Sequence, residues 1–190
     1  DAAHSVRVYK AALAIAAEEQ ADARLVALAA LLHDVDDRKL SPETAAGKDR
    51  AVRFLQRHQL PQEEINTICT IIDQVSYQGT DSVVPSTPEG KCVQDADRLE
   101  ALGAIGLARV FAVSGALGTA LFDADDPFAG ARALDDKAFA LDHFQTKLLR
   151  LPDTMQTARG RELARHNADF LIQFMAKLSA ELHGDCIGQD

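Results

Sequence analysis

Apolar residues return every three or four positions through most of this chain, and that spacing predicts helices. Over residues 4–19 the repeat falls on Val8, Ala12, Ile15 and Ala16 in an Ala-rich segment, and Ala is the residue that enters a helix at least cost. A second repeat over about 22–33 puts Leu25, Leu28, Ala29 and Leu32 on one face and delivers His33 and Asp34 at its end. Ser41-Pro42-Glu43 reads as an N-cap followed by proline at the first helical position, opening a helix to about residue 59. Leu60-Pro61-Gln62-Glu63-Glu64 starts the next, with Ile65, Ile68, Ile71, Ile72 and Val75 inward. Isoleucines favour strands locally, but helical spacing and the acidic start decide for helix. Residues 77–90, rich in Pro, Gly, Ser and Thr, form a surface loop long enough to lie over a site.

A helix is expected over about 88–113, with Gly103 and Gly106 allowing a bend or close packing. Residues 114–135 are irregular, and two helices, about 136–150 and 157–182, are separated by Leu151-Pro152-Asp153. No stretch alternates strictly enough for a half-buried sheet, so the fold class is all-α. The length of 190 residues suits a single domain, 1–190, with its core in about 1–115 and C-terminal helices in about 135–183.

The chemistry gathers where the second helix ends, in Ala29-Ala30-Leu31-Leu32-His33-Asp34-Val35-Asp36-Asp37-Arg38-Lys39. An imidazole beside a carboxylate at the end of an apolar run suits a transition metal such as Mn, Fe, Zn, Co or Ni better than an all-oxygen cation. Two donors hold no ion firmly, so others must come from elsewhere, and His4 and Asp95-Ala96-Asp97 are the candidates. Taken alone, His33 and Asp34 read as a helix-terminal His and a turn Asp, and His4 as a surface residue. Asp95 reads equally well as a surface carboxylate or as a partner that orients a ligand.

The formal charge of -9 argues against duplex nucleic acid as a partner, because phosphate-backbone binding needs a dense basic surface. No apolar run reaches the length of a membrane span. Cys69, Cys92 and Cys186 are odd in number and lack C-x-x-C spacing, which fits a reducing compartment, the cytoplasm, and excludes a cysteine zinc knuckle. Cys69, at helical spacing from Ile65 and Ile72, is expected in the core. His58, His143, His166 and His183 lie on separate expected helices in surface or capping roles, so one metal is expected rather than two.

In order, His4, His33-Asp34 and Asp97 spell H…HD…D, and the sequence resembles the HD-domain metal-dependent phosphohydrolases, in their bacterial single-domain branch. The likeness is carried by His4-Ser5-Val6-Arg7-Val8, by the run from Ala29 to Lys39, and by Gln94-Asp95-Ala96-Asp97-Arg98-Leu99-Glu100-Ala101-Leu102-Gly103-Ala104-Ile105-Gly106. It extends to Lys147-Leu148-Leu149 and the final helix. The resemblance implies an HD-domain helical bundle in which His4, His33, Asp34 and Asp97 hold one divalent cation, often Mn, with Mg, Co, Ni, Fe and Zn as the other candidates. The last ligand falls on the Asp of Ala-Asp-Arg-Leu, hence Asp97 and not Asp95.

The activity so implied is hydrolysis of a small phosphorylated metabolite, with a nucleotide favoured and release of phosphate or pyrophosphate left open. Asp37, three residues after Asp34, faces the same side of a turn and is the candidate base. Relatives that split pyrophosphate esters often carry an acidic residue there, which ranks Asp37 above Asp36. Lys39, on the same turn, ranks first among the cations for phosphate, followed by Arg38, Arg98 and, by resemblance, Lys147. Arg38, Arg98 and Arg109 have equally good readings as partners of local carboxylates, and Ser76 and Tyr77 as helix-end or packing residues. Two other functions compete: a nucleotide-binding regulatory module without turnover, and a di-iron oxygenase on the same scaffold, which needs further histidines.

Overall fold

The computed structural model describes residues 2–36, 42–75 and 83–184. They are all-helical, as the periodicity predicts: α1 (Ala2–Glu19), α2 (Ala23–Leu32), α3 (Pro42–Ala45), α4 (Asp49–Arg57), α5 (Gln62–Val75), α6 (Pro88–Leu99), α7 (Gly103–Leu117), α8 (Asp142–Thr146) and α9 (Ala158–Leu182), with a 3-10 helix over Leu148–Thr154. No strand occurs among the described residues beyond one isolated bridge between Ala120 and Phe139. No single described helix is long and apolar enough to cross a membrane. The chain divides into two compact units, Asp1–Arg98 with Gln156–Gly160, and Leu99–Met155 with Arg161–Asp190.

In the first unit α1 packs on α2, α2 on α5 and α4 on α5. Val8, Ala12, Ile15 and Ala16 of α1 are buried, as are Ile65, Ile68, Ile71, Ile72 and Val75 of α5. Each fully buried Ile contributes about 1.5–3 kcal/mol by leaving water. Helix α2 begins at Asp22, whose carboxylate accepts from the Arg24 and Leu25 amides at 2.8 and 3.1 Å, satisfying donors that have no partner inside the helix. Its buried face is Val26, Ala29, Ala30 and Leu32, with Leu25 and Leu28 half-buried. The helix is apolar nearly all round, so spacing alone did not fix which stripe points inward.

The single helix expected over 42–59 is two helices. Lys48 stands between them in the left-handed region, at φ 49° and ψ 43°, a conformation that ends a right-handed helix. Its buried ammonium pairs with Asp73. Helix α4 is capped by Asp36, which accepts from the Arg50 and Ala51 amides at 3.1 and 2.9 Å. Cys69, expected in the core, is only half-buried, whereas Cys92 is fully buried and burial pushes its thiol up to about 12.

In the second unit, Gly103 at φ 63° begins α7. At Gly106 a Cβ would fall 2.2 Å from the Ala101 carbonyl oxygen, so the close packing expected there is required. The helix expected over 136–150 starts later. Ala120 donates to the Ala138 carbonyl at 3.1 Å and Ala140 to the Ala120 carbonyl at 2.9 Å, so these backbone groups pair with an earlier stretch of the same chain instead of forming a helix. Pro152, expected to separate two helices, sits inside the 3-10 helix.

Two interactions hold the irregular stretch. Arg132 grips the fully buried Asp142 with both terminal nitrogens at 2.6 and 2.8 Å, and its guanidinium lies 4.4 Å over the Phe139 ring. The rings of Phe111, Phe144 and Phe174 meet at centroid distances of 5.8–6.1 Å.

Candidate metal centre

Three helices of the first unit deliver four side chains to one point. His4 stands on the first turn of α1, His33 caps the C-terminus of α2 with Asp34 next to it, and Asp97 lies in the last turn of α6. His4 Nε2 is 3.3 Å from His33 Nε2, 3.3 Å from Asp34 Oδ2 and 3.3 Å from Asp97 Oδ1. His33 Nε2 is 3.4 Å from Asp34 Oδ1 and 3.7 Å from Asp97 Oδ1. Donor atoms about 2.1 Å from a shared ion, at roughly tetrahedral or octahedral angles, stand about 3.0–3.4 Å apart. The observed separations lie within a few tenths of an ångström of that range.

Protonation fits a cation as well. His33 Nδ1 is 2.8 Å from the Ala30 carbonyl oxygen, which only accepts, so Nδ1 carries the proton and Nε2 presents its lone pair to the centre. His33 Nε2 therefore meets His4 Nε2 and the oxygens of Asp34 and Asp97 with its lone pair. The His33 side chain is 3 % exposed, whereas those of Asp34 and Asp97 are 35 % and 24 % exposed. His33 is the buried member of the set and the two carboxylates are the more exposed ones.

Burial opposes a charge on His33, yet Asp97, Asp34 and the Ala30 carbonyl raise its pKa above the ordinary value. Hydrogen bonding to His4 holds Asp34 below the usual carboxylate range. Burial works against Asp97, but His33 and His4 hold it well below that range. Both carboxylates are ionised at neutral pH, as cation binding requires.

The neighbouring acids divide by role. Asp95, expected at the surface or behind a ligand, is fully buried and accepts from the Gln156 amide at 2.9 Å, the Thr157 amide at 2.8 Å and the Thr157 hydroxyl at 2.7 Å. It secures the chain leading into α9, and the Thr157 hydroxyl in turn accepts from the Gly160 amide. Sequence reasoning missed this. The available signal was its position three residues after Cys92 and four before Leu99, on the apolar stripe of α6.

Gln94, also missed, is buried and donates through Nε2 to the carbonyls of Gln74 and Val83. Asp36 is committed to capping α4. Arg98 is buried, and its charge acts on Asp95. Lys147 belongs to the second unit, where it lines a cavity with Arg109 and His143. Asp37, Arg38, Lys39, Ser76 and Tyr77 lie outside the described residues. His58, His166 and His183 are exposed and His143 half-buried, in keeping with the surface roles expected for them.

The HD domain family model matches residues 1–102, which contain all four converging side chains. YpgQ of Bacillus subtilis is 36% identical over 183 residues, covering 95% of this chain and 83% of that protein. The crystal structure of YpgQ in complex with ADP matches with a TM-score of 0.76, covering 94% of this chain and 84% of that one. An HD-superfamily hydrolase from Bacillus thuringiensis, 33% identical, matches with a TM-score of 0.76 over 95% of this chain and 85% of that one. An all-helical frame that brings two histidines and two aspartates together in this order defines a class of metal-dependent hydrolases. The chain belongs to that class as a member of the HD-domain phosphohydrolase superfamily.

Proposed function

We propose that this protein hydrolyses a phosphoester or phosphoanhydride bond in a small phosphorylated metabolite, a nucleotide, with His4, His33, Asp34 and Asp97 holding one divalent cation, Mn first among the candidates. The observation that carries the reading is the approach of His4 and His33 to each other and to Asp34 and Asp97 at 3.3–3.7 Å. The complex of YpgQ with ADP supports a nucleotide as the substrate class. When bound, a divalent cation in such a site lowers the pKa of a water and offsets charge on the phosphoryl group.

The chain's own groups divide the rest of the work. His33, pinned through Nδ1 to Ala30, keeps Nε2 oriented without having to reorganise. Asp34 and Asp97 remain anionic and present their oxygens at the mouth. Asp37 is assigned the proton of the attacking water, since Asp36 is engaged by the α4 amides. Lys39 is assigned the phosphoryl oxygens, with Arg38 and Arg98 as further phosphate contacts.

The test is turnover of a nucleotide panel with Mn, Mg, Co or Ni by the purified chain, alongside its metal content, with Asp34→Ala as the control. Product from the parent and none from Asp34→Ala is the expected result. Equal rates in the two would place the activity elsewhere.

A further inference from the structure

Helix α6 carries Asp97 to the metal centre, and the apolar residues it buries are mostly small: Cys92, Val93 and Ala96, with Leu99 at the end. Burial of such a surface is non-directional, so it holds the helix down without setting its rotation. Rotation matters for a ligand. A turn of about 5° moves an atom about 5 Å from the helix axis by about 0.4 Å, about twice the 0.2 Å or so that a metal-ligand distance tolerates. Directional bonds are what set the phase of this helix.

Polar ties fasten α6 along its length. Glu89 Oε1, in the first turn, accepts from the Asp22 amide at 3.0 Å, and Asp95 accepts from the Gln156 and Thr157 amides. A further tie is Gln94, 1% exposed, whose Nε2 donates to the Gln74 carbonyl at 2.9 Å and to the Val83 carbonyl at 2.8 Å. Gln94 stands three residues before Asp97, so the two share a helix face one turn apart. Its acceptors are braced in turn. Gln74 Oε1 accepts from the Ser86 amide at 3.1 Å and Gln74 Nε2 donates to the Ser86 hydroxyl at 3.3 Å, which binds the end of α5 to the chain beyond Val83. The Gln94 amide works in one orientation only, because turning it over would set its oxygen against both carbonyls.

We infer that Gln94 is a positioning residue for the metal centre: its paired hydrogen bonds to Gln74 and Val83 fix the rotation of α6 and thereby the place of the Asp97 carboxylate. The inference rests on the four-ligand reading given above, and it assigns Gln94 no contact with the ion or with substrate.

The test is calorimetric titration of Mn into the full chain after EDTA treatment and dialysis, with melting temperatures on the same samples. Gln94→Met keeps the length of the side chain and removes both bonds. It should weaken Mn binding about tenfold, the lower end of what partners of metal ligands contribute. Gln94→Asn keeps the amide but is too short to span both carbonyls, so it should weaken Mn binding as well, and it decides the matter if the methionine variant does not fold. Phe144→Leu, in the core of the second unit, controls for stability alone: it should lower the melting temperature and leave the Kd for Mn unchanged. Mn binding as tight as the parent's in a folded Gln94 variant would overturn the inference. So would an equal loss in Phe144→Leu, which would make the effect one of stability. If Asp97→Ala binds Mn as the parent does, the four-ligand reading fails and the inference with it. Turnover is not read, so a chain that binds Mn and hydrolyses nothing would sink the proposed function and leave the role of Gln94 standing.

Discussion

Asp97 Oδ1 stands 3.3 Å from His4 Nε2, so a carboxylate near the end of the HD-matched segment and an imidazole near its start share one point. Neither residue has a local reason to be there, since His4 sits on a first turn and Asp97 on a last one. Removing either carboxylate should therefore empty the centre without unfolding the helices. Asp97→Ala and Asp34→Ala are each expected to lose bound metal and at least about a hundredfold in turnover, because even groups behind the ligands cost about 10–100-fold. Metal analysis, activity and circular dichroism on the same samples check this, and EDTA treatment of the parent should reproduce the loss until metal is restored.

Asp36 and Asp37 are adjacent but are expected to fail differently. Asp36 accepts from two amides at the start of α4, so Asp36→Ala should cost about 0.5–2 kcal/mol of stability, the range for a lost helix cap. Asp37→Asn should instead leave the melting temperature unchanged and lower kcat about 10²–10⁴-fold, the contribution of a general base. Thermal melts and steady-state kinetics on both variants separate the roles.

Gly160 has no room for a side chain: a Cβ there would fall 2.3 Å from Asp95 Oδ2 and 2.6 Å from the Thr157 hydroxyl. Gly160→Ala should destabilise the fold by about 1–3 kcal/mol through overpacking. Asp95→Ala should do so by about 1–3 kcal/mol for each buried donor left unpaired. Gly115→Ala, inside α7 with nothing within 4 Å of its Cβ, should stabilise by about 0.5–1 kcal/mol. Chemical denaturation of the three variants tests the contrast.

Hydrogen bonds from Arg132 hold the Asp142 carboxyl below the usual carboxylate range, whereas in an unfolded chain it titrates near about 3.9. The folded state then binds fewer protons than the unfolded one in acid. The pair's contribution is fully present above the unfolded pKa and is lost as pH falls toward the folded one. Arg132→Gln leaves Asp142 buried without its charged partner, which raises that carboxyl's pKa. The variant is expected to melt below the parent at pH 7, with a gap that narrows as pH is lowered to about 3. Melting temperatures of both proteins across that range decide it.

Helical phase is a local property, and it was legible. Val8, Ile15, Ile65 and Ile72 announce their faces through spacing alone, because a residue three or four positions away is a neighbour in any helix. The donor residues were legible only as a set, since His33 and Asp34 alone read as a helix end and a turn, and it was the HD pattern that joined them to His4 and chose Asp97 over Asp95. What spacing could not show was which polar groups other parts of the chain would claim. Asp95 is buried because the amides of Gln156 and Thr157 need an acceptor, and Asp36 is spent on α4 because Lys48 breaks the helix in the left-handed region.

The sequence by itself determined that the chain is helical, and it supplied four side chains able to hold a cation. Tertiary structure alone decided that the two histidines come within 3.3–3.7 Å of each other and of both carboxylates and that Asp36 and Asp95 serve the backbone instead. Distance between remote residues depends on how helices pack, and an unpaired buried amide recruits whichever acceptor that packing brings within reach.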